Sequence, residues 1–397
     1  MRVGFDGRWL HVLEPIAFNR YLVNLLRGLQ SVRGLELFLF TDERRPIDGR
    51  NLVDLCVQVI TLPSTREALW EHLHLPLALR RLRIDLYHAS ANPVLPGVKI
   101  CRYVLTSHGA PMDYVRHQVR RGFLPGTASD YLQDLEPIHP RPRRLYLQAR
   151  GKLSRRLAFA VADRIITVSQ TTKRELVEFS GIREDKVRVT YLAPDASFRR
   201  PVSAESRNHV RMQFGLPTSY LLSVGTVARI KNSEGLLRVI ACLRRLGITL
   251  PLVICAPTSH DLGRYRQLAM ELGLLERRDL FFLEKVGAAL PALYQGATAF
   301  VVLSWYESFS LPLAEAMACG LPIVASDAAC LPEVLADGGI LVAPGNTEKV
   351  ALALKALLDS PKTQQELRER ALRRSDSFSW EKTAQETYGV YKELVPN

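Results

Sequence analysis

What the chain lacks narrows its chemistry first. No Asp-x-Asp pair occurs anywhere in the 397 residues, so a bound diphosphate is expected to be held without a carboxylate-bound metal. No GxxxxGK(S/T) run is present, which removes the P-loop nucleotidases. No apolar run approaches the ~20 residues that span a bilayer. The N-terminal MRVGFDGRWL lacks the apolar core of a secretory signal, and a cytoplasmic protein is expected. The six cysteines, Cys56, Cys101, Cys242, Cys255, Cys319 and Cys330, form no C-x-x-C pair. Most sit in apolar surroundings, which points to buried free thiols rather than disulfides or a metal site. Glycine is also missing from the loop after the first strand, where close backbone approach to a phosphate or sugar ordinarily needs it. Ala17 and Asn19 stand there instead, and Arg20 is read as closing the loop.

The remaining composition is that of an α/β protein, 47% hydrophobic and 23% charged. A chain of 397 residues is long for one core and predicts two domains. The formal charge of +13 admits a nucleic acid, an anionic membrane surface or an acidic substrate, beside a plainly solvated surface.

The stretch AFVVLSWYESFSLPLAEAMACGLPIVASD, Ala299 to Asp327, organises the second half. Ala299 to Leu303 reads as a buried parallel strand. After a polar turn, Pro312 suits the first helical position, with Ser310 as its cap. Gly320 and Pro322 end that helix, and Leu321 to Ala325 is a second strand. Such a loop lies at the carboxyl end of a strand, where open α/β sheets bind ligands. It carries Glu307, and the helix carries Glu315, read as lying in its first turn. A helix N-terminus suits a phosphate, and a carboxylate beside it can accept two hydrogen bonds from a vicinal diol. A solvated loop glutamate and a helix-start charge are the plain alternatives. Shared acid–base work by the two carboxylates is a third reading.

Other segments add to this. The strand Tyr220 to Val224 runs into GTVARIKNSEG, where Arg229 and Lys231 at a strand-to-helix turn could clamp a diphosphate or form a solvated basic turn. Cys101 to Thr106 is a strand ending in Ser107-His108-Gly109, which puts His108 at a carboxyl strand edge. The span Tyr114 to Arg156 is the least regular. From 141 to 156 it holds Arg141, Arg143, Arg144, Arg150, Lys152, Arg155 and Arg156 and no acid. Leu153, Leu157, Ala160 and Val161 make a helical stripe there, either packed on the core or laid on an anionic leaflet. No nucleic-acid module motif is present, and nucleic acid is not expected as a partner. LAPDASFRRPVSAESRN is a candidate boundary. The expected domains are 1–195, 196–378, and a last helix, 379–397, crossing back to the first. Each half alternates strand and helix, predicting two doubly wound domains facing across a cleft.

GTVARIKN, EKV with LPALYQGA, ESFSLPLAEAMACGLPIVASD, LPEVLADGGILVAPGN and FSWEKTAQETYGVY follow in order through the C-terminal half. FDGR, Ser107-His108 and ADRIITVSQTTKREL occupy the N-terminal half more loosely. In these motifs the chain resembles a bacterial glycosyltransferase of family 4, the group 1 enzymes of GT-B fold. The resemblance implies a retaining, metal-independent transferase without cofactor. It would move a hexose, mannose or similar, from a nucleotide diphosphate sugar to a hydroxyl acceptor. A lipid-linked or surface-polysaccharide glycan, as in lipopolysaccharide assembly at the inner face of the membrane, fits the basic helix.

By position, Glu315 resembles the family's ribose-binding glutamate and Glu307 the one that contacts the donor sugar. Backbone groups at Ser308, Phe309, Ser310 and Leu311 would approach the diphosphate. Lys231 falls on the phosphate-binding lysine, with Arg229 one residue off the usual Arg-Lys pair. His108 resembles the histidine that faces the donor sugar, and Val286 lies where the base is held. Glu307, His108 and Lys231 would carry catalysis. Three departures stand out: Ala17 and Asn19 replace two loop glycines beside the acceptor, Gly109 replaces an aspartate, and Ser308 and Ser310 replace the glycines of EGFGLP, a change read as mild. The first departure motivates a rival, a GT-B scaffold or sugar-nucleotide-binding protein that has lost transfer. A sugar-nucleotide epimerase is a further alternative.

Overall fold

The computed structural model describes residues 1–11, 17–47, 49–63, 66–90, 95–109, 111–132, 153–256 and 262–396. Two parallel sheets dominate. The first holds β1 (Arg2–Asp6), β2 (Glu36–Asp42), β3 (Gln58–Leu62), β4 (Leu86–Ala89), β5 (Arg102–Ser107), β6 (Arg164–Thr167) and β7 (Val187–Val189), in the order β3-β2-β1-β4-β5-β6-β7. The second holds β8 (Leu221–Val224), β9 (Leu252–Cys255), β10 (Leu280–Leu283), β11 (Ala299–Val302), β12 (Ile323–Ser326) and β13 (Ile340–Val342), in the order β10-β9-β8-β11-β12-β13. Helices cover both faces of such sheets, so central strands such as LVIC and AFVV are apolar on both sides rather than alternating. Strand order reverses between β1 and β4, and again between β8 and β11. These switch points are where doubly wound sheets leave a crevice at their carboxyl ends.

By contact the chain divides into two units. One comprises Met1–Ala110, Ile138–Leu192 and Ser379–Asn397; the other comprises Pro111–Pro137 and Ala193–Phe378. The segment Pro111–Pro137, inside the expected range 1–195, thus groups with the second unit. In the first unit Phe38, Phe40, Trp70, Tyr87, Tyr103 and Leu105 centre the core. The helix Ala17–Leu29 packs on the C-terminal helix Trp380–Leu394 at a glycine: a Cβ on Gly28 would stand 2.5 Å from that of Ala384. In the second unit the helix Ser233–Arg245 buries Leu236, Leu237, Val239, Ile240 and Leu243 against the sheet.

Four expectations change. The loop read as running to Asn19 and closed by Arg20 is already helix from Ala17. Without glycines nothing there needs a left-handed backbone, and alanine favours the helix. The irregular span holds two helices, Pro111–Arg120 and Ala128–Leu132. The polar boundary holds two more, Ala196–Arg199 and Ala204–Gln213, because Asp195 and Ser203 are N-caps that accept from the N–H groups of Ser197 and Ser206.

The fourth concerns the basic segment, whose residues 141–152 lie outside the described ones. Its described helix, 153–161, turns Ala158 and Phe159 inward while Leu153 is 60% and Leu157 56% exposed. The two leucines therefore lie on the outward face, while Val161 of the same stripe packs against the core. Among the described residues no helix is long and apolar enough to cross a membrane.

Candidate active site

In the second unit the β8–β11 switch point brings the expected Lys231 and Glu307 together. Gly225, at φ 143°, turns the chain out of β8. Asn232, itself left-handed at φ 55°, caps the next helix through Oδ1 on the Gly235 N–H and ties Nδ2 to the Pro344 carbonyl at 2.9 Å. Between them Lys231 projects to Glu307. Its Nζ donates to both carboxylate oxygens at 2.8 Å. Glu307 also accepts from Ser304 Oγ at 2.8 Å, and Ser304 is fixed in turn by Ser326, whose Oγ donates to its carbonyl at 2.6 Å. The Trp305 N–H on the Ile230 carbonyl, 2.9 Å, locks the two loops together. A narrow cleft opens here, lined by Ser223, Gly225, Thr226, Lys231, Ser233 and Ser304.

Arg229 is also engaged by carboxylates. Its guanidinium lies 3.6 Å from Asp130 and 3.5 Å from Glu234, and 5.9 Å from the centre of the Tyr131 ring. Asp130 arrives on the helix Ala128–Leu132, held by a small core in which Val115, Leu124 and Tyr131 meet Ala228, Ile230 and Tyr306. A hydrogen bond from the Thr127 N–H keeps the Asp130 carboxyl below its ordinary pKa, and Arg229 adds to this. Both cations of the turn therefore face anions of the same unit. An incoming diphosphate would exchange partners with Glu307 and Asp130 rather than meet bare charge. Val286 follows β10 at a carboxyl strand end and is half-buried.

The helix after β11 is Leu311–Ala318. Phe309 anchors its start, 1% exposed and edge-on to Phe378 at 5.4 Å. Ser310 occupies the cap position, but at φ 70° its side chain makes no cap bond and its buried Oγ has no partner among the described residues. The serine is not a mild replacement. Left-handed backbone costs a β-carbon residue about 1–2 kcal/mol, and a buried unpaired hydroxyl about 1–3 kcal/mol. Glycine gives back about 0.4–1 kcal/mol through its freer unfolded chain. Ser310→Gly is therefore expected to stabilise the protein by about 1 kcal/mol or more, read as a higher midpoint in chemical denaturation.

Glu315 lies on the second turn of this helix, not the first, and is 0% exposed. Tyr294, from the helix Leu290–Gly296, donates to its Oε2 at 3.0 Å and lies 3.1 Å from the Pro312 carbonyl. Burial, with Glu315 alongside, pushes the tyrosine pKa far up. A ribose could reach this carboxylate only by displacing what now covers it. Ser308 and Leu311 flank the helix start, half-buried and buried.

The remaining expected residues belong to the first unit. His108 follows β5, and its Nε2 lies 2.9 Å from the Ser90 carbonyl. A carbonyl only accepts, so Nε2 carries the proton. Burial lowers the imidazole pKa to about 4, leaving it neutral with Nδ1 as the lone-pair nitrogen. Ala17 opens the first helix. Arg20 lies one turn in, its carbonyl accepting from Asn24 Nδ2 at 2.9 Å. Asn19 is 1% exposed, and among the described residues neither polar atom of its side-chain amide has a partner.

Sequence reasoning passed over Ser304, Tyr294 and Asp130. Ser304 follows an apolar strand directly, a polar residue at a carboxyl edge, and that signal was readable. Tyr294 stands in LPALYQGA with nothing local to link it to Glu315, 21 residues on. Asp130 meets Arg229 only through tertiary packing.

Over most of its length the chain is similar to known proteins. A family model described as glycosyl transferases group 1 matches residues 207–374, and one described as glycosyltransferase family 4 matches residues 18–198. The O-antigen chain mannosyltransferase B of Escherichia coli is 26% identical over 390 residues, covering 96% of this chain and 98% of that one. The D-inositol 3-phosphate glycosyltransferase of Corynebacterium glutamicum strain R is 29% identical over 245 residues, covering 59% and 58%. The crystal structure of Anabaena HepE in complex with UDP-glucose matches with a TM-score of 0.73 at 17% identity, covering 99% of both chains, a likeness of fold. With the two family models end to end over paired doubly wound sheets, the chain belongs to glycosyltransferase family 4, the group 1 glycosyltransferases of GT-B fold.

Proposed function

We propose that this glycosyltransferase is a retaining hexosyltransferase. It moves a mannose-type sugar from a nucleotide diphosphate donor to a hydroxyl of a lipid-linked or surface-polysaccharide glycan. The observation that carries the reading is the two-pronged Lys231–Glu307 pair at the β8–β11 switch point. It sets a diphosphate-binding cation beside a carboxylate suited to sugar hydroxyls. The relative named for O-antigen mannosyl transfer supports the choice of sugar and acceptor.

In this reading Lys231 and Arg229 take the diphosphate oxygens, with backbone N–H groups at Ser308 to Leu311 completing the cradle. Glu307 orients the sugar, Glu315 holds the ribose, backbone near Val286 holds the base, and His108 faces the sugar. As the donor bond breaks, negative charge grows on the leaving phosphate, and the fixed cations and helix N-terminus stabilise it. That phosphate assists the acceptor's attack on the same face, so configuration is kept. No metal is needed where lysine, arginine and helix dipole supply the positive field.

A thermal-shift screen of UDP, GDP, ADP and dTDP sugars would identify the donor. Turnover with that donor in excess chelator, with the product's anomeric configuration read by NMR, is expected to continue with retention. An inverted product, or loss of turnover on chelation, would overturn the mechanism. Asn19, with its amide in place of a glycine, is what favours the scaffold reading. Slow release of free sugar from the donor would exclude it, and so would formation of an epimer.

The acceptor side is proposed to reach an anionic membrane through Leu153 and Leu157, exposed beside Arg155 and Arg156. The protein should sediment with phosphatidylglycerol vesicles at low salt and be released by high salt. Leu153→Asp with Leu157→Asp is expected to weaken that about tenfold or more. No sedimentation of the natural protein at low salt would refute the idea.

A further inference from the structure

Under the first helix and the C-terminal helix of the first unit, four buried side chains form an unbroken polar chain. Tyr391 Oη lies 2.6 Å from His88 Nδ1, His88 Nε2 lies 2.7 Å from Thr106 Oγ1, and Thr106 Oγ1 lies 2.9 Å from Tyr21 Oη. Each of the four residues is no more than 1% exposed. Burying four polar groups carries a desolvation cost that an apolar core would avoid, so such a chain marks something other than simple stability. It also has a destination. Tyr21, whose hydroxyl ends it, sets its ring edge-on to His108, with centroids 4.8 Å apart and planes at 83°.

We propose that Tyr21 is a positioning residue for His108, and that the chain from Tyr391 fixes Tyr21, so that the docked C-terminal helix helps to set the first unit's reactive face. This rests on the reading that His108 faces the donor sugar. Thr106 and His108 lie two residues apart along β5 and its continuation, and so on one side of the sheet. Tyr21 spans both, with its hydroxyl on Thr106 and its ring on His108. The constraints on the His108 ring then include the Ser90 carbonyl on its Nε2–H and the tyrosine edge.

His88 transmits order along the chain. Burial, aided by neighbouring His108, lowers its pKa to about 3, and a neutral imidazole has one donor and one acceptor nitrogen. Thr106 has one proton to give. The inner contacts therefore run in a single direction, either from Tyr391 toward Tyr21 or the reverse, and both directions hold the same heavy atoms. Removing the Tyr391 hydroxyl strands His88 Nδ1 and frees the imidazole to change tautomer. Thr106, and with it Tyr21, then loses its fixed partner.

The test uses the full chain and the nucleotide sugar giving the largest thermal shift. Tyr391→Phe and Tyr21→Phe are each expected to lower kcat about tenfold, with donor KM within about twofold, as small misplacements of a reacting group do. The double variant should fall no lower than the worse single one. In protein carrying ¹⁵N-histidine, the His108 ring signals should shift in both variants. Thr383→Val removes a different tie of the same helix, its 2.5 Å bond to the Tyr191 carbonyl. It should lower Tm while leaving kcat unchanged.

Should the tyrosine variants fail to fold, Thr106→Val against Thr106→Ser carries the same comparison, with turnover lost in the first and kept in the second. Natural kcat in Tyr391→Phe, or equal turnover in the two Thr106 variants, with His108→Ala inactive, overturns the proposal. Full turnover in His108→Ala overturns instead the reading beneath it.

Discussion

Glu307→Ala is expected to lower kcat by about 10²–10³-fold, the scale of losing one pre-set polar contact to a reacting group, while binding of the free nucleoside diphosphate holds or tightens. The split follows from the pairing in the structure. Glu307 is the proposed sugar contact, so its loss falls on the transition state. It is also the carboxylate that neutralises Lys231 at 2.8 Å, and its removal frees that cation for phosphate. The reciprocal change behaves differently. Lys231→Ala leaves Glu307, a side chain only 12% exposed, with Ser304 but no counter-charge. That should cost about 1–3 kcal/mol of stability and weaken nucleoside diphosphate binding as well. Calorimetry with the free diphosphate beside steady-state turnover checks both. Unchanged kcat in Glu307→Ala would remove Glu307 from the sugar site, and a large loss of diphosphate affinity there would show that it holds the nucleotide instead.

The central strands were legible as short apolar runs such as LVIC and AFVV, and the parallel order follows from strand–helix alternation. Of the helices that went unseen, Pro111–Arg120 carries Met112, Val115 and Val119 at helical spacing, a signal that was readable, whereas Ala204–Gln213 had no apolar stripe to show. Ala204–Gln213 buries no residue at all, so only its Ser203 cap could have announced it. Pro111–Arg120 and Ala128–Leu132 present Val115 and Tyr131 to a partner loop a hundred residues ahead, and nothing local encodes that pairing. The grouping of this segment with the second unit, and the counter-ion it brings to Arg229, were out of reach for the same reason.

The candidate site divides in the same way. Strand-end position singled out Lys231, Glu307 and His108, yet the sequence cannot say that Lys231 and Glu307 already neutralise one another across 76 residues. Ser310 was legible as a departure from glycine, but its left-handed φ emerges only with the fold. The burial of Glu315 was in fact readable. LPLAEAMA is apolar around its whole circumference, and a helix of that kind is buried on every side, so its one carboxylate must be buried with it.

That burial makes Glu315 the position where a structural and a binding role must be separated, and Glu315→Gln against Glu315→Ala does so. Alanine leaves a cavity and takes the carboxylate from the Tyr294 hydroxyl, which keeps only the Pro312 carbonyl as acceptor, a loss of about 2–4 kcal/mol in stability. Any fall in nucleotide affinity in that variant is then ambiguous. Glutamine keeps the volume and can still accept from Tyr294, so stability should hold within about 1 kcal/mol. It removes the charge that strengthens each ribose hydrogen bond, and about 10–100-fold weaker nucleotide binding is expected from two such bonds. Tyr294→Phe gives the complementary reading. If the ribose displaces the tyrosine from Oε2, removing that hydroxyl lowers stability yet leaves nucleotide binding equal or tighter, because a competitor has gone. If Glu315 is only a strut between the helices Leu290–Gly296 and Leu311–Ala318, Glu315→Gln binds nucleotide as the natural protein does, and the ribose must be held elsewhere.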